Sequence, residues 1–394
     1  MSSSLPTIGV IGAGTMGRGI AQVAASSGHP VLLYDIRPQA LEEAQQHLER
    51  ILHRLVEKGQ LAPAQAAETL RRITFLSDSL EPFRSCSLLI EAIAEDLAAK
   101  QTLFAQLERW TAAEALLATN TSSLSVTAIA AACRHPERVL GLHFFNPAPL
   151  MPLVEVVPGL ATTSEVIERA YTLMESWGKV PVIARDTPGF IVNRIARPFY
   201  GEALRLLEEG VADVPTIDWA LCTFGGFRMG PFALMDLIGN DINYKVTETL
   251  WKAFFYEPRY RPSFMQQRLV EAGRLGRKTG RGFYDYREGA QNPPPTTDAK
   301  LGQQIFERVL AMLINEAVDA VFWRIASPTD IDRAMILGVN YPKGLLHWAE
   351  ELGLATVLHW METLYATYRE ERYRPSPLWQ QMLQQGRRFF EETP

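Results

Sequence analysis

Disulfides, metal clusters and membrane spans are the first things this 394-residue sequence does without. Its three cysteines, Cys86, Cys133 and Cys222, are odd in number, far apart and in no CxxC pairing. That excludes a disulfide framework and a cysteine-ligated zinc site, and points to reduced thiols in the cytoplasm. The seven histidines form no HExxH or comparable cluster, so no metal is expected. No apolar run approaches the roughly 18 residues that span a bilayer, so no membrane partner is expected. The opening MSSSLPTIGVIGAG has no basic region ahead of an apolar one, and no signal peptide is expected there. Cationic excess is missing too: 39 Lys and Arg stand against 44 Asp and Glu, a net charge of −5. A broad nucleic-acid surface needs the opposite sign. What remains is a globular chain long enough for two or three domains.

Residues 8–11 (IGVI) read as a short buried strand. Gly12-Ala-Gly14-Thr15-Met16-Gly17 follows, then a helical pattern, then a second buried strand, residues 31–35 (VLLYD), ending in an acid. Strand, GxGxxG, helix, strand, Asp in that order is the fingerprint of a Rossmann dinucleotide-binding unit. Gly12 permits the tight turn, Gly14 lets the backbone approach a pyrophosphate, and Gly17 lets the helix pack on the strand. The helix N-terminus then turns free N–H groups toward the phosphates. Asp35 is placed to accept hydrogen bonds from the adenine ribose and to repel a 2′-phosphate, which favours NAD over NADP. Arg37, two residues later, weakens that preference.

Residues 38–56 and 63–72 read as two amphipathic helices about the turn 57–59. This hairpin lengthens the usual crossover and carries Arg50, Arg54 and Lys58. Residues 88–92 (LLIEA) are the next strand, with Glu95 and Lys100 at the start of the following helix. Residues 115–119 (ALLAT) are another, ending in Asn120-Thr-Ser122-Ser, before Ser125 caps the helix VTAIAAACR. Polar residues at the carboxyl end of a parallel strand lie on the ligand side of an open α/β sheet. Ser122 and Ser123 equally suit the satisfying of a turn.

The stretch GLHFFNPAPLMPLVEVV, residues 141–157, sets one imidazole and one acid in an otherwise apolar run. Residues 139–145 and 153–157 read as strands joined by the stiff, proline-rich PAPLMP. Twelve residues is the right distance for neighbouring strands to bring His143 and Glu155 side by side. A carboxylate on one ring nitrogen fixes the tautomer, leaving the other nitrogen as a general base. Taking a proton from a secondary alcohol while hydride leaves for nicotinamide needs such a base. A buried structural pair is the competing reading; a neighbouring dinucleotide site favours catalysis.

GAGTMGRGIA, EAIAED, NTSSLS, GLHFFNPAPLMPLVEVV, DTPGFIVNR and GRKTGRGFYDY, in this order, resemble the (S)-3-hydroxyacyl-CoA dehydrogenase family over residues 5–287. The resemblance implies oxidation of a 3-hydroxyacyl-CoA to the 3-ketoacyl-CoA with reduction of NAD, or the reverse, as in fatty-acid β-oxidation. It implies that His143 is the general base, Glu155 its orienting carboxylate and Ser122 a hydrogen-bond donor to the substrate 3-oxygen. Asn193 then helps to hold the acyl group and the base. Besides Gly12, Gly14, Thr15, Met16, Gly17 and Asp35, it implies dinucleotide contacts for Glu95, Lys100, Ser122, Asn146 and Lys278, and a coenzyme A contact for Lys58. Ile51 stands where some relatives carry a serine on the hairpin. Two other functions share the fold: a dehydrogenase of a small polar hydroxy acid such as gulonate or carnitine, and a non-enzymatic NAD-binding crystallin. The intact Ser122, His143, Glu155 and Asn193 argue for catalysis.

The rest of the chain reads as helical and as written twice. One long helix is expected over IVNRIARPFYGEALRLLEEG, bringing Asn193 to the cleft between domains. Glu202-Ala203 recurs as Glu316-Ala317, Ile217-Asp218 as Ile331-Asp332, and Gly230 and Gly239 as Gly344 and Gly353, all 114 residues on. Tyr260-Arg-Pro-Ser263 recurs as Tyr373-Arg-Pro-Ser376, 113 residues on. Such a repeat indicates a duplicated domain. The second copy has Glu307 in place of Asn193 and no KTGRGFY, and so is expected to be catalytically silent. The expected organisation is a Rossmann-type α/β domain with a helical hairpin insertion (1–186), an all-α domain (187–287), a linker (288–298) and a second helical copy (299–394). The two copies are expected to pair within the chain, replacing a homodimer or leaving another surface free for one.

Overall fold

The computed structural model describes residues 5–390. Residues 1–4 and 391–394, which hold the start of the expected Rossmann domain and the end of the expected second helical copy, lie outside the described residues. The chain divides into two compact units between Thr187 and Pro188.

The first unit alternates strand and helix: β1 (Thr7–Ile11), α1 (Thr15–Ser26), β2 (Val31–Tyr34), α2 (Pro38–Glu57), α3 (Pro63–Arg71), β3 (Ile73–Leu76), β4 (Cys86–Glu91), α4 (Leu97–Trp110), β5 (Leu116–Thr119), α5 (Val126–Ala130), β6 (Val139–Phe144), β7 (Leu153–Pro158), α6 (Ser164–Ser176) and β8 (Val180–Ile183). The strands form one sheet in the order β3-β2-β1-β4-β5-β6-β7-β8. All neighbours are parallel except β6 and β7. The order reverses between β1 and β4, the switch point outside which open α/β sheets bind ligands.

Near-continuous Val, Ile and Leu make the inner strands apolar on both faces, as a sheet covered by helices requires. One face packs under α1, α2 and α6, through Ile20, Ala24, Leu48 and Met174; the other packs under α4 and α5, through Phe104, Leu107 and Ile129. In α2 the buried residues are Leu41, Ala44, Leu48 and Leu52, a single stripe at helical spacing. Arg50, Arg54 and Lys58 lie exposed away from that stripe, and Ile51 is half-buried. Three elements have no counterpart in the sequence reading: β3, α6 and β8. The segment VPVI of β8 contains Pro181, which argues against a central strand; β8 is an edge strand, where a missing N–H is tolerated.

The described part of the second unit is helical: α7 (Val192–Ile195), α8 (Arg197–Glu208), α9 (Val214–Gly225), α10 (Pro231–Ile238), α11 (Asn240–Ala253), α12 (Phe264–Glu271), α13 (Ala299–Phe322), α14 (Pro328–Val339), α15 (Leu345–Leu352), α16 (Leu354–Tyr368) and α17 (Pro377–Gln385). The expected long first helix is broken at Ala196 into α7 and α8, because Pro198 lacks the N–H that would continue the ladder. In α13 the position 114 residues later is Met312, and that helix runs unbroken. Helix α13 packs on α8, α9, α15, α16 and α17.

Contacts in this unit recur at the sequence repeat. Asp218 accepts hydrogen bonds from the N–H groups of Phe232 and Ala233; Asp332 accepts them from Leu346 and His347. Buried Glu202 receives Arg308, Arg372 and Tyr373. Buried Glu316 receives Arg194, Arg259 and Tyr260, the residues one repeat away, at 2.6, 3.1 and 2.5 Å. Burial alone would push both carboxyls up, but two guanidiniums on each hold them below the usual range. The absence of KTGRGFY from the second half is only partial in three dimensions. The N–H groups of Phe283 and Tyr284 bind Asp236, and those of Phe389 and Phe390, in the terminal RRFF, bind Glu350.

Candidate active site

The glycine-rich turn follows β1 and holds the shape a pyrophosphate needs. Gly12 has φ +101°, and a Cβ there would stand 2.6 Å from Ala92 O. A Cβ on Gly17 would stand 1.7 Å from Gly12 O, so only glycine lets α1 start this close to the turn. Gly14, the N-cap of α1, supplies no side-chain cap. The first N–H groups of α1 therefore keep capacity for an anionic ligand. Gly14 and Thr15 are exposed, and Met16 is half-buried. Asp35, just past β2, is buried: Oδ2 accepts from Ala13 N–H at 2.9 Å and Oδ1 from Arg37 N–H at 3.0 Å. Arg37 thus braces Asp35 through its backbone and a longer 3.4 Å side-chain contact. These residues fit a dinucleotide with a free 2′-hydroxyl.

Two carboxylates shape the next loops. Glu91, fully buried at the end of β4, accepts from Lys100 Nζ at 2.5 Å, Ile93 N–H at 2.7 Å and Thr119 Oγ1 at 2.7 Å. Lys100 is itself buried and lies 3.3 Å from Glu95 Oε2. Glu95 accepts from Thr121 Oγ1 at 2.5 Å, Ser122 N–H at 3.0 Å and Ser123 Oγ at 3.3 Å. Burial would push the Glu95 carboxyl up; Lys100 and the hydrogen bonds from Thr121 and Ser122 outweigh that and hold it low. An anionic Glu95 therefore fastens the loop that carries Ser122. From the other side Asp186 accepts from Ser125 Oγ and the N–H groups of Val126 and Thr127. Sequence reasoning passed over Glu91 and Asp186. A glutamate closing an apolar strand, LLIE, was the available signal for the first.

His143 on β6 and Glu155 on β7 are directly opposed in the antiparallel ladder. His143 Nδ1 lies 2.6 Å from Glu155 Oε2, both side chains being buried. A carboxylate only accepts, so Nδ1 carries the proton and Nε2 presents a lone pair when the ring is neutral. Phe145 tilts against the ring at 4.5 Å between centroids. Asn120 Oδ1 accepts from Phe144 N–H at 2.8 Å, tying β6 to the loop of Ser122. The connection after β6 leaves Asn146 exposed and is clamped from behind by Lys179, whose ammonium donates to Ala148 O and Met151 O.

The turn at 12–17, Asp35, Glu95, Ser122 and His143 thus all follow or end strands that are parallel to one another, at one edge of the sheet. Lys58 lies apart at the exposed C-terminus of α2. Asn193 and Lys278 belong to the second unit: Asn193 on α7, and Lys278 2.7 Å from Asp241. No cluster of three metal-ligating side chains occurs among the described residues. No helix among them is long and apolar enough to cross a membrane.

This arrangement has relatives. Residues 7–187 match the 3-hydroxyacyl-CoA dehydrogenase, NAD binding domain, and residues 189–286 and 305–389 the 3-hydroxyacyl-CoA dehydrogenase, C-terminal domain. The chain belongs to the 3-hydroxyacyl-CoA dehydrogenase family. It is 42% identical to the 3-hydroxyadipyl-CoA dehydrogenase of Escherichia coli (strain K12), over 97% of this chain and 98% of that one. It is 43% identical to a probable 3-hydroxybutyryl-CoA dehydrogenase of Bacillus subtilis (strain 168), over 71% of this chain and 96% of that one. A crystal structure of 3-hydroxybutyryl-CoA dehydrogenase from Escherichia coli K12 superposes with a TM-score of 0.91 at 41% identity, covering 97% of this chain and 99% of that one.

Proposed function

We propose that this chain is an NAD-dependent (S)-3-hydroxyacyl-CoA dehydrogenase, interconverting 3-hydroxyacyl-CoA and 3-ketoacyl-CoA in acyl-CoA degradation. The observation that carries the reading is the 2.6 Å His143–Glu155 contact at the same sheet edge as the glycine-rich turn. NAD supplies the hydride acceptor. His143 Nε2 takes the hydroxyl proton as hydride leaves C3, while Glu155 holds the ring in the tautomer that can receive it. Ser122 donates to the 3-oxygen, which carries partial negative charge in the transition state. Glu95 and Asp186 keep its loop in place. Asp35 takes the adenine ribose, Glu95, Asn146 and Lys278 the remainder of the dinucleotide, and Asn193 the acyl group; Lys100, expected to touch the dinucleotide, is buried on Glu91 and Glu95 and acts through Glu95 instead. Lys58, with Arg50 and Arg54 along the same exposed side of α2, takes the phosphates of coenzyme A. The test is absorbance at 340 nm with NADH and acetoacetyl-CoA. Rapid oxidation is expected; activity only on a sugar acid or carnitine would reject the thioester.

We further propose that residues 187–287 and 299–394 are two copies of one helical domain, joined by 288–298 and paired with each other inside the chain. Support comes from the reciprocal Glu202 and Glu316 clusters, in which each half supplies the acid and the other its two arginines and tyrosine. Such an exchange is the signature of an isologous interface. The three thiols, with Cys86 pushed up to about 12 by burial, suit a reducing compartment such as the cytoplasm.

A further inference from the structure

Arg197 is a buried cation without an acid. It is 7% exposed. Its Nε donates to Asn193 O at 3.0 Å and its Nη1 to Thr247 Oγ1 at 3.3 Å, and its guanidinium lies 4.9 Å from the centre of the Tyr200 ring. Among the described residues no carboxylate comes within ion-pair distance of it, and Nη2 has no hydrogen-bond acceptor. Arg194, Arg259 and Arg372, the other buried arginines among the described residues of this unit, all have carboxylates, as does the half-buried Arg308. Beside Arg197 stand the phenols of Tyr200 and Tyr341, close enough to act on its charge. Tyr341 is buried, and its hydroxyl has no hydrogen-bond partner. A largely buried guanidinium with no acid, next to a buried hydroxyl with no partner, leaves a place that an anion would complete.

The repeat provides an internal control. At the positions 114 residues from Arg197, Tyr200, Thr247 and Tyr341 stand Ala311, Ile314, Met361 and Phe227, all buried. Four buried apolar side chains therefore occupy the positions one repeat away from a cation and three hydroxyls. The polar set is not a demand of the helical architecture. Three of its members, Arg197, Tyr200 and Thr247, lie in the half that carries Asn193, and Tyr341 lies in the half that carries Glu307.

We infer that Arg197, with the hydroxyls of Tyr341 and Tyr200, forms a subsite for a carboxylate at the far end of the substrate's acyl chain. The ligand class is a 3-hydroxy-dicarboxylic acyl-CoA. Arg197 Nε holds the carbonyl of Asn193, the residue to which the proposed function gives the acyl group. An acyl chain that ends in a carboxylate supplies the anion the guanidinium lacks; a hydrocarbon end does not. Tyr341 comes from the half expected to be silent, which gives that half a part in substrate choice.

This inference rests on the dehydrogenase reading above, and one comparison tests both. Oxidation of 3-hydroxyadipyl-CoA and 3-hydroxyhexanoyl-CoA, equal in chain length, is followed through NADH at 340 nm. The wild-type protein is expected to favour the dicarboxylic thioester in kcat/KM by about tenfold or more, because the hexanoyl chain leaves the guanidinium buried and unpaired. Arg197→Met is expected to cut that preference about ten- to a hundredfold, the worth of a charged hydrogen bond. Tyr341→Phe, which removes a single oxygen, is expected to cut it a few-fold and decides the matter should Arg197→Met fail to fold. Equal use of both thioesters by the wild type, or a preference that neither substitution alters, overturns the subsite and leaves the dehydrogenase standing. A wild type that oxidises neither thioester sinks both.

Discussion

Replacing Glu155 by glutamine tests the proposed chemistry at its narrowest point. The substitution keeps side-chain volume in a site with no solvent exposure, so packing should survive. What changes is the partner of His143 Nδ1, now 2.6 Å from an anionic oxygen. A hydrogen bond to a charged group contributes about 1.5–3 kcal/mol, roughly a ten- to hundredfold effect when it strengthens in the transition state. A glutamine can also turn its NH₂ toward the ring, which demands the tautomer with the proton on Nε2 and removes the base. Together these predict a fall in kcat of about a hundred- to a thousandfold, inside the usual range for acid–base catalysis. The assay is NADH oxidation with acetoacetyl-CoA, with NADH affinity measured separately by fluorescence. Affinity should stay within about twofold, since Asp35 and the glycine-rich turn are untouched. A Glu155→Gln protein that retains kcat within about threefold would show that the carboxylate does not steer the imidazole.

Other consequences can be checked as directly. His143→Ala should lower turnover about a hundred- to ten-thousandfold while NADH still binds, as seen by fluorescence titration. Asp35→Ser should raise the KM for NADH and narrow its advantage over NADPH by about tenfold, because a charge facing the 2′-position is lost; unchanged selectivity in steady-state kinetics would count against the ribose contact. Glu316→Ala strands Arg194 in the interior and leaves Arg259 with Asp319 alone, and should destabilise the protein by about 3–5 kcal/mol in urea unfolding, against under about 1 kcal/mol for Glu271→Ala in its exposed pair with Arg268. Burial pulls Lys179 down to about 8, below the free lysine value of about 10.4. Below pH 8 folded and unfolded chains both hold that proton; between about 8 and 10.4 only the unfolded chain does, so this residue adds stability as pH rises. The stability gap between wild type and Lys179→Met should therefore move in favour of the wild type from about pH 7.5 to about pH 9.5.

The legible parts of the sequence were those fixed by local pattern. The glycine spacing, the apolar strands and the acid after β2 sit where alternation and turn chemistry put them. His143 and Glu155 were readable because a stiff proline-rich connection leaves two strands of known length little choice of register. The break at Ala196 was hidden by an otherwise uniform helical stripe, although Pro198 stood in plain sight. β8 was masked by Pro181, which reads against a strand until its edge position is known. Glu91 with Lys100, and Arg197 with its missing acid, were beyond reach for a different reason. Whether a charge is paired depends on residues far away in the chain, and periodicity carries no information about them. The RRFF segment shows the same limit: its backbone takes up on Glu350 the contacts that GFY makes on Asp236, without sharing the motif.

The reciprocal clusters on Glu202 and Glu316 have an evolutionary reach. In an assembly of identical subunits every replacement is made twice and strikes both symmetry-related contacts together. Here the two acids are separate codons. Arg194 can be held constant while Arg308 drifts, and a harmful change on one side leaves the other cluster to carry the pair. Under the proposed duplication, fusion lets one half specialise without dragging its twin along.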